Sequence, residues 1–267
     1  MSVIELSWWD IAIAASLVML LAWLSFQQRL QLERQIVVAG ARTIIQLTLV
    51  GLILNVVFNE GRLIWVTLMA AVMLAVAGYE VMARQQRRIS GPWGYGIGTV
   101  SMFLSSFTVT GFALIVLVGN EPWYLPQYAI PLLGMMLGNT MNGIALTLDR
   151  LTTGAWQQRA VIENRLMLGQ TWQEAIQDLR RDAMRSGMIP TINGMAAVGV
   201  VSLPGMMTGQ ILAGTPPMEA VKYQIIIMFM VSGGAGFGAM LAMSFGARRL
   251  FDERQRLRLE RLSTPPG

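Results

Sequence analysis

Chemistry in this chain has to be sought among polar side chains set inside apolar runs, because an amide or a charge in hydrocarbon costs free energy unless it is paired. Arg42 and Gln46 stand one helical turn apart on one face of such a run. Asn139 and Asn142 lie three residues apart and share a helical face with Met135. Asn193 occupies a later run, and Ser101, Ser105 and Thr108 form a stripe along another. Arg42 is about two turns from the end of its run, so it either snorkels to the headgroups or lines a path. The two asparagines either bind helix to helix or line a path for a polar solute. Lipid alone would leave their amides unsatisfied, which favours the path.

Methionine and glycine repeat in a pattern. Gly134-Met135-Met136-Leu137-Gly138 and Gly205-Met206-Met207-Thr208-Gly209 are two copies of G-M-M-x-G. Each contains G-x-x-x-G, which lets helices approach closely, with methionine as an adaptable filler. The alternative is that the thioethers of Met135, Met136, Met206 and Met207 offer weak, soft ligands to a passing metal. Such sulfur suits Cu(I) better than Fe(II), so softness alone does not choose a substrate. Ser202-Leu203-Pro204-Gly205 should kink or break its helix, or turn it back as a re-entrant segment. Irregular backbone at membrane depth is tolerated only beside protein or a cavity, which makes Pro204 and Gly205 site candidates.

Other chemistries are excluded. There is no cysteine and no histidine, hence no thiolate or imidazole metal site and no near-neutral proton shuttle. Nothing reads G-x-x-x-x-G-K-[ST], and Lys222 is the single lysine, so no nucleotide-binding loop is expected and ATP with its Mg²⁺ belongs to a partner. No carboxylate lies at the centre of an apolar run, since Glu80 and Asp149 fall near the ends, which disfavours proton coupling.

One long segment is polar and basic. Residues 149–187 separate two apolar runs and hold Glu163, Gly169 and Thr171. Gly169 permits a sharp turn between two short helical stretches, and Thr171 with Glu174 has the spacing of a capping box. The interval from Glu163 to Gly169 resembles the E-A-A-x-x-x-G coupling motif of ABC importer permeases, with Asn164 and Arg165 in place of the alanines. A surface helix lying on headgroups explains the same pattern.

The elements that must position these residues follow from composition. Of 267 residues 54% are hydrophobic and 13% charged, which marks an integral membrane protein. Apolar runs at about 9–26, 36–58, 63–82, 97–118, 128–148, 188–213 and 224–245 are each long enough to cross a core of ~30 Å at ~1.5 Å per residue. They lack the alternation of barrel strands, so the fold class is all-α, a polytopic bundle of about seven transmembrane helices forming one transmembrane domain. Glu5 and Asp10 precede the first basic residue, Arg29, so the first run is expected to stay as a span.

Seventeen of the twenty basic residues fall on one side of this topology: two near 29–34, three near 84–88, six in 150–185 and six in 248–261. That asymmetry places the N-terminus outside and the C-terminus in the cytoplasm, and it assigns the net charge of +5 to topology, not to nucleic acid. Trp8-Trp9 and Trp123-Tyr124 read as outer interface anchors, and Trp93 and Tyr95 as inner ones. The tail from Asp252 is expected to extend the last helix and fray.

Three stretches are recognisable together: Ala41-Arg42-Thr43-Ile44-Ile45-Gln46-Leu47, Pro131 to Met141, and Val201 to Gly209 followed by Ala220-Val221-Lys222-Tyr223-Gln224-Ile225. They resemble the FetB-type permease family, the membrane subunit of a bacterial ABC iron exporter, related to plant aluminium-tolerance membrane proteins. The resemblance implies a homodimer of permeases bound to a separate cytoplasmic ATPase subunit, with Glu163 to Met184 as the coupling segment. It implies iron export, while plant relatives point to nucleotide sugars, so the substrate class stays open. A membrane scaffold whose basic loop binds a soluble regulator is the remaining, non-transporting class.

Overall fold

The computed structural model describes residues 7–119 and 121–263. Glu5 and the expected frayed end at 264–267 lie outside the described residues. Helix dominates, as a backbone that must satisfy its own polar groups in lipid requires. α1 (Trp8–Gln27) and α2 (Glu33–Glu60) form a hairpin, Gly40 meeting Val18 where they cross. α3 (Leu63–Ala83) comes next. The fourth crossing, 92–118, alternates α4 (Pro92–Met102), a π segment (Phe103–Phe107), α5 (Thr108–Phe112) and a second π segment (Ala113–Val118). α6 (Pro126–Gln157) has 32 residues, so at about 48 Å it overshoots a hydrocarbon core by several turns. The expected loop therefore starts as a continuation of this helix. It continues as α7 (Arg159–Met167) and α8 (Trp172–Ala175), then enters α9 (Gln177–Ala197). α10 (Gly205–Leu212) and α11 (Pro217–Arg249) complete the helices.

Among the described residues, six helices are continuous and apolar enough to cross a membrane: α1, α2, α3, the 92–118 helix, α6 and α11. The sixth expected span, 188–213, is not one helix. α9 stops at Ala197, an irregular segment carries Gly199 at φ +85°, and Pro204 caps the restart at α10. A crossing is nonetheless required there, because α6 and α11 run parallel. Met136 faces Gly234, Thr140 faces Gly238 and Leu148 faces Gly246, a constant offset that only parallel helices keep. The chain must return across the bundle between them. α9 does so antiparallel to α6, Leu179 lying on Gly154 and Thr147 on Gly187.

The core is centred on α6, which packs against α3, α9 and α11. Gly234, Gly238 and Gly246, with Ala242 between, form a smooth stripe one helical turn apart that admits the larger side chains of α6. Of the glycines in the G-M-M-x-G repeats only Gly134 has a close neighbour, Met73 Cε at 3.2 Å from an added Cβ, whereas an added Cβ at Gly138, Gly205 or Gly209 would meet nothing within 4 Å. The serine stripe of the fourth span is also rearranged. Ser101, Ser105, Ser106 and Thr110 are buried while Thr108 is exposed, because a π turn carries an extra residue and rotates the helix beyond it.

The expected helical tail is replaced by a fold-back. α11 ends at Arg249, Arg258 N–H donates to Leu250 O at 2.8 Å, and β2 (Leu262–Ser263) pairs antiparallel with β1 (Arg88–Ile89). Leu250, Phe251 and Leu259 are buried against Ile162, Ile176 and Leu179, so apolar spacing in the tail outweighs its charge.

Candidate functional site

α2, α3 and α6 present a charged cluster at the end of the bundle where the basic residues collect. α3 ends with Glu80 and Arg84, four residues apart and so on one face. Arg42 Nη2 of α2 donates to Glu80 Oε1, and Arg84 Nε lies 3.7 Å from Glu80 Oε2. Arg84 Nη1 donates to Asn142 Oδ1 of α6 at 2.6 Å. The Glu80 side chain is 18% exposed, against 49% for Arg42 and 48% for Arg84. The carboxylate is thus largely sheltered beside two guanidiniums. Two turns further along α6, Asp149 Oδ1 accepts the Gln86 backbone N–H at 2.7 Å.

Several sequence candidates belong to this face. Asn139 is exposed, its Nδ2 donating to Met135 O at 2.8 Å, and Met135 is half-buried. Gln46 is exposed one turn from Arg42, with no hydrogen-bond partner among the described residues. Met136 points elsewhere, buried against Gly234 among Ile227, Met230 and Val231. Asn193, exposed on α9, and Pro204, Gly205, Met206 and Met207, at the head of α10, are not joined to the cluster. α10 packs chiefly on α11, so the two methionine pairs do not converge. Glu80 and Arg84 were not among the sequence candidates; their signal was an acid and a base four apart at the end of an apolar run. Among the described residues no three His, Cys, Asp or Glu side chains gather as a metal site would require.

The second feature is the turn between α7 and α8. Gly169 adopts φ +88°, and the N–H groups of Gly169 and Gln170 close the end of α7 on Leu166 O and Arg165 O. Thr171 Oγ1 accepts from Glu174 N–H at 3.4 Å while Glu174 Oε2 accepts from Thr171 N–H at 2.8 Å, the reciprocal pair of a capping box. The Thr171 backbone N–H, then its hydroxyl, hold the Glu174 carboxyl below its ordinary pKa. Glu163 accepts from Arg159 Nε at 2.8 Å. Arg165, where the importer motif has alanine, bridges the two arms by donating to Ala175 O at 3.2 Å and Asp178 Oδ2 at 2.9 Å. Trp172 stacks on Phe251 at 5.5 Å, and its backbone N–H donates to Gln255 Oε1 at 3.0 Å, so the tail buttresses the turn. At the tip Met167 and Leu168 are 77% and 83% exposed.

The family model of the Uncharacterised protein family (UPF0014) matches residues 8–251. The UPF0014 membrane protein slr1647 of Synechocystis is 40% identical over 260 residues, 96% of this chain and 98% of the relative. Protein ALUMINUM SENSITIVE 3 of Arabidopsis thaliana is 33% identical over 224 residues, 84% and 80% of the two chains. The Probable iron export permease protein FetB of Escherichia coli is 31% identical over 249 residues, 93% of each. No solved structure matches the chain. A match that runs from the first helix to the end of the last, over the Glu80 cluster and the Gly169 turn alike, makes this chain a member of the UPF0014 family.

Proposed function

We propose that the chain is the membrane-spanning permease of an ATP-binding cassette exporter that moves iron or a similar metal ion out of the cytoplasm. The observation that carries this reading is the exposed apolar tip, Met167 and Leu168, on a turn held rigid by Arg165 and Trp172 at the basic end. An apolar tip on an otherwise polar segment suits a groove in a soluble partner. That partner is a cytoplasmic ATPase subunit, which binds ATP and Mg²⁺, while this chain catalyses no reaction itself. The basic end then faces the cytoplasm.

The substrate path is the α2–α3–α6 face. Displacing Arg42 and Arg84 uncovers two oxygen donors, the Glu80 carboxylate and Asn142 Oδ1, which suit a divalent cation. Two copies of the chain close the path, because α2 buries only Val57 and leaves Arg42 and Gln46 on its surface. The named function of the FetB relative supports iron. A second reading, export of a nucleotide sugar or another organic anion, is favoured by the same cluster, where two guanidiniums outnumber one carboxylate.

The test is ATP turnover by the chain copurified with its ATPase in lipid, with Fe(II) and a UDP-sugar as rival additions. Iron stimulation that disappears in Gly169→Val supports metal and turn together. At Gly169 an added Cβ meets no neighbour, so the substitution acts through its backbone conformation alone. Stimulation by the sugar and not by iron would replace the substrate, and a stable complex without stimulated turnover would leave a scaffold.

A further inference from the structure

A cavity of about 1670 Å³ opens at the basic end between the start of α4, the last turn of α11 and the folded-back tail. Its two walls differ in kind. One is apolar and belongs to the bundle, with Val100 48% and Phe245 40% exposed toward it. The other carries five arginines against two carboxylates, Asp252 and Glu253.

Those carboxylates do not neutralise the wall. Asp252 is already committed: Oδ2 accepts from Arg256 Nε at 2.8 Å and Arg258 Nε at 3.0 Å, and Oδ1 from the N–H groups of Arg254 and Arg256. Glu253 forms no ion pair among the described residues, nor do Arg248, Arg249 and Arg254. Arg249 lies 4.9 Å from the centroid of the Trp93 ring, and its Nε is buried with no hydrogen-bond acceptor. A guanidinium stacked on an indole, with no carboxylate of its own among the described residues, is left to pair with an anion.

We propose that this cavity binds the phosphate of an anionic phospholipid from the adjoining leaflet, with the acyl chains along Val100 and Phe245. The chemistry asks for both parts. Phosphate suits several guanidiniums at once, and the apolar wall faces the bilayer where a soluble phosphate has nothing to contact. Trp93, 52% exposed, sits where an interfacial indole would mark the headgroup level. Because Trp172 of the coupling turn lines the same cavity, a lipid held here also braces that turn.

The experiment uses the full chain, delipidated in detergent, and titrates phosphatidylglycerol or phosphatidylcholine of identical acyl chains. Retained lipid is counted by native mass spectrometry and stability followed by melting temperature. Phosphatidylglycerol should be preferred, and Arg248→Gln/Arg249→Gln should lower that preference about tenfold or more. Arg254→Gln, a single change on an exposed turn, should lower it in the same direction should the double variant fold poorly. Arg181→Gln/Arg185→Gln, at the same end but outside the cavity, should leave it unchanged. Equal retention of the two lipids overturns the proposal, as does a preference that survives both cavity variants. An equal rise in melting temperature with inorganic phosphate alone overturns the lipid as its source.

Discussion

Gly187→Ala asks whether the coupling segment and the asparagine face move as one body. α9 leaves the segment and crosses α6 where Gly187 meets Gly143 and Thr147. A Cβ at Gly187 would stand 1.9 Å from Thr147 Oγ1 and 2.7 Å from Gly143 O. The hydroxyl can swing away, but the carbonyl belongs to α6 itself. Restoring ordinary contact at about 3.5 Å forces the helices apart by roughly 0.8 Å. Overpacking of that kind costs about 1–3 kcal/mol, while alanine gains back up to about 1 kcal/mol of helix propensity. With the full propensity gain the net loss is up to about 2 kcal/mol, a factor of up to roughly 30 in the folding equilibrium. Reversible unfolding in mixed micelles measures it, with Gly138→Ala inside α6, which meets nothing within 4 Å, as the control that carries only the propensity gain. Adding Thr147→Ala to Gly187→Ala should recover only part of the loss, because the carbonyl remains. An unfolding midpoint at or above that of the parent chain, or full recovery in the double variant, would refute a backbone-limited crossing. Where the crossing holds, the proposed coupling from the Gly169 turn has a route through α6 to Asn142.

Glu80→Gln strands Arg42 and Arg84 beside one another and should destabilise the same unfolding equilibrium by about 1–3 kcal/mol, less than a fully buried pair because both guanidiniums are half exposed. Combining it with Arg42→Gln should recover part of that loss. If the proposed function holds, Asn142→Leu should abolish transport in reconstituted vesicles while copurification with the proposed ATPase is unchanged; unaltered transport would remove Asn142 from the path. Asp252→Asn should raise hydrogen exchange across 252–263 and alter Trp172 fluorescence at neutral pH, since four donors converge on that carboxylate. The Arg256 backbone N–H, then the Arg256 and Arg258 side chains, hold the Asp252 carboxyl far below the ordinary range against a smaller opposing effect of burial. A depressed folded-state pKa means that this stabilisation is complete above the unfolded value of about 3.9 and fades only as pH falls below it. Exchange in the tail should therefore stay flat from pH 7 to about pH 4, after correction for intrinsic rates, and its loss above pH 5 would contradict the assignment.

The sequence made the membrane architecture legible because hydrocarbon permits so few backbone solutions: apolar length and helix both come from one constraint. The break before Pro204 was legible for a local reason, proline and glycine in succession. The hidden features depend on which helices become neighbours. Glu80 looked like a carboxylate at the end of a run until α2 brought Arg42 to it and α6 brought Asn142 to the neighbouring Arg84. The stripe of Gly234, Gly238 and Gly246 reads as one more run of small residues until Met136, Thr140 and Leu148 fill it. Nor does any residue pattern mark the π segments that turn Thr108 outward, since one added residue per turn is decided by packing around the fourth span.

The tail misled for a more general reason. Charge density suggested a solvated end, yet Leu250, Phe251, Leu257 and Leu259 are spaced to cover the coupling segment once the chain reverses at Asp252. A permease driven from outside the membrane needs a rigid lever, and α7, α8 and the first turns of α9 are too short to be rigid alone. The folded-back tail supplies the missing layer, and its pairing with β1 ties that layer to the end of α3, four residues beyond Arg84. The turn, the tail and the Glu80 cluster are therefore joined along two routes, one through α6 and one through β1. A substitution that loosens only one of them should weaken coupling without abolishing it.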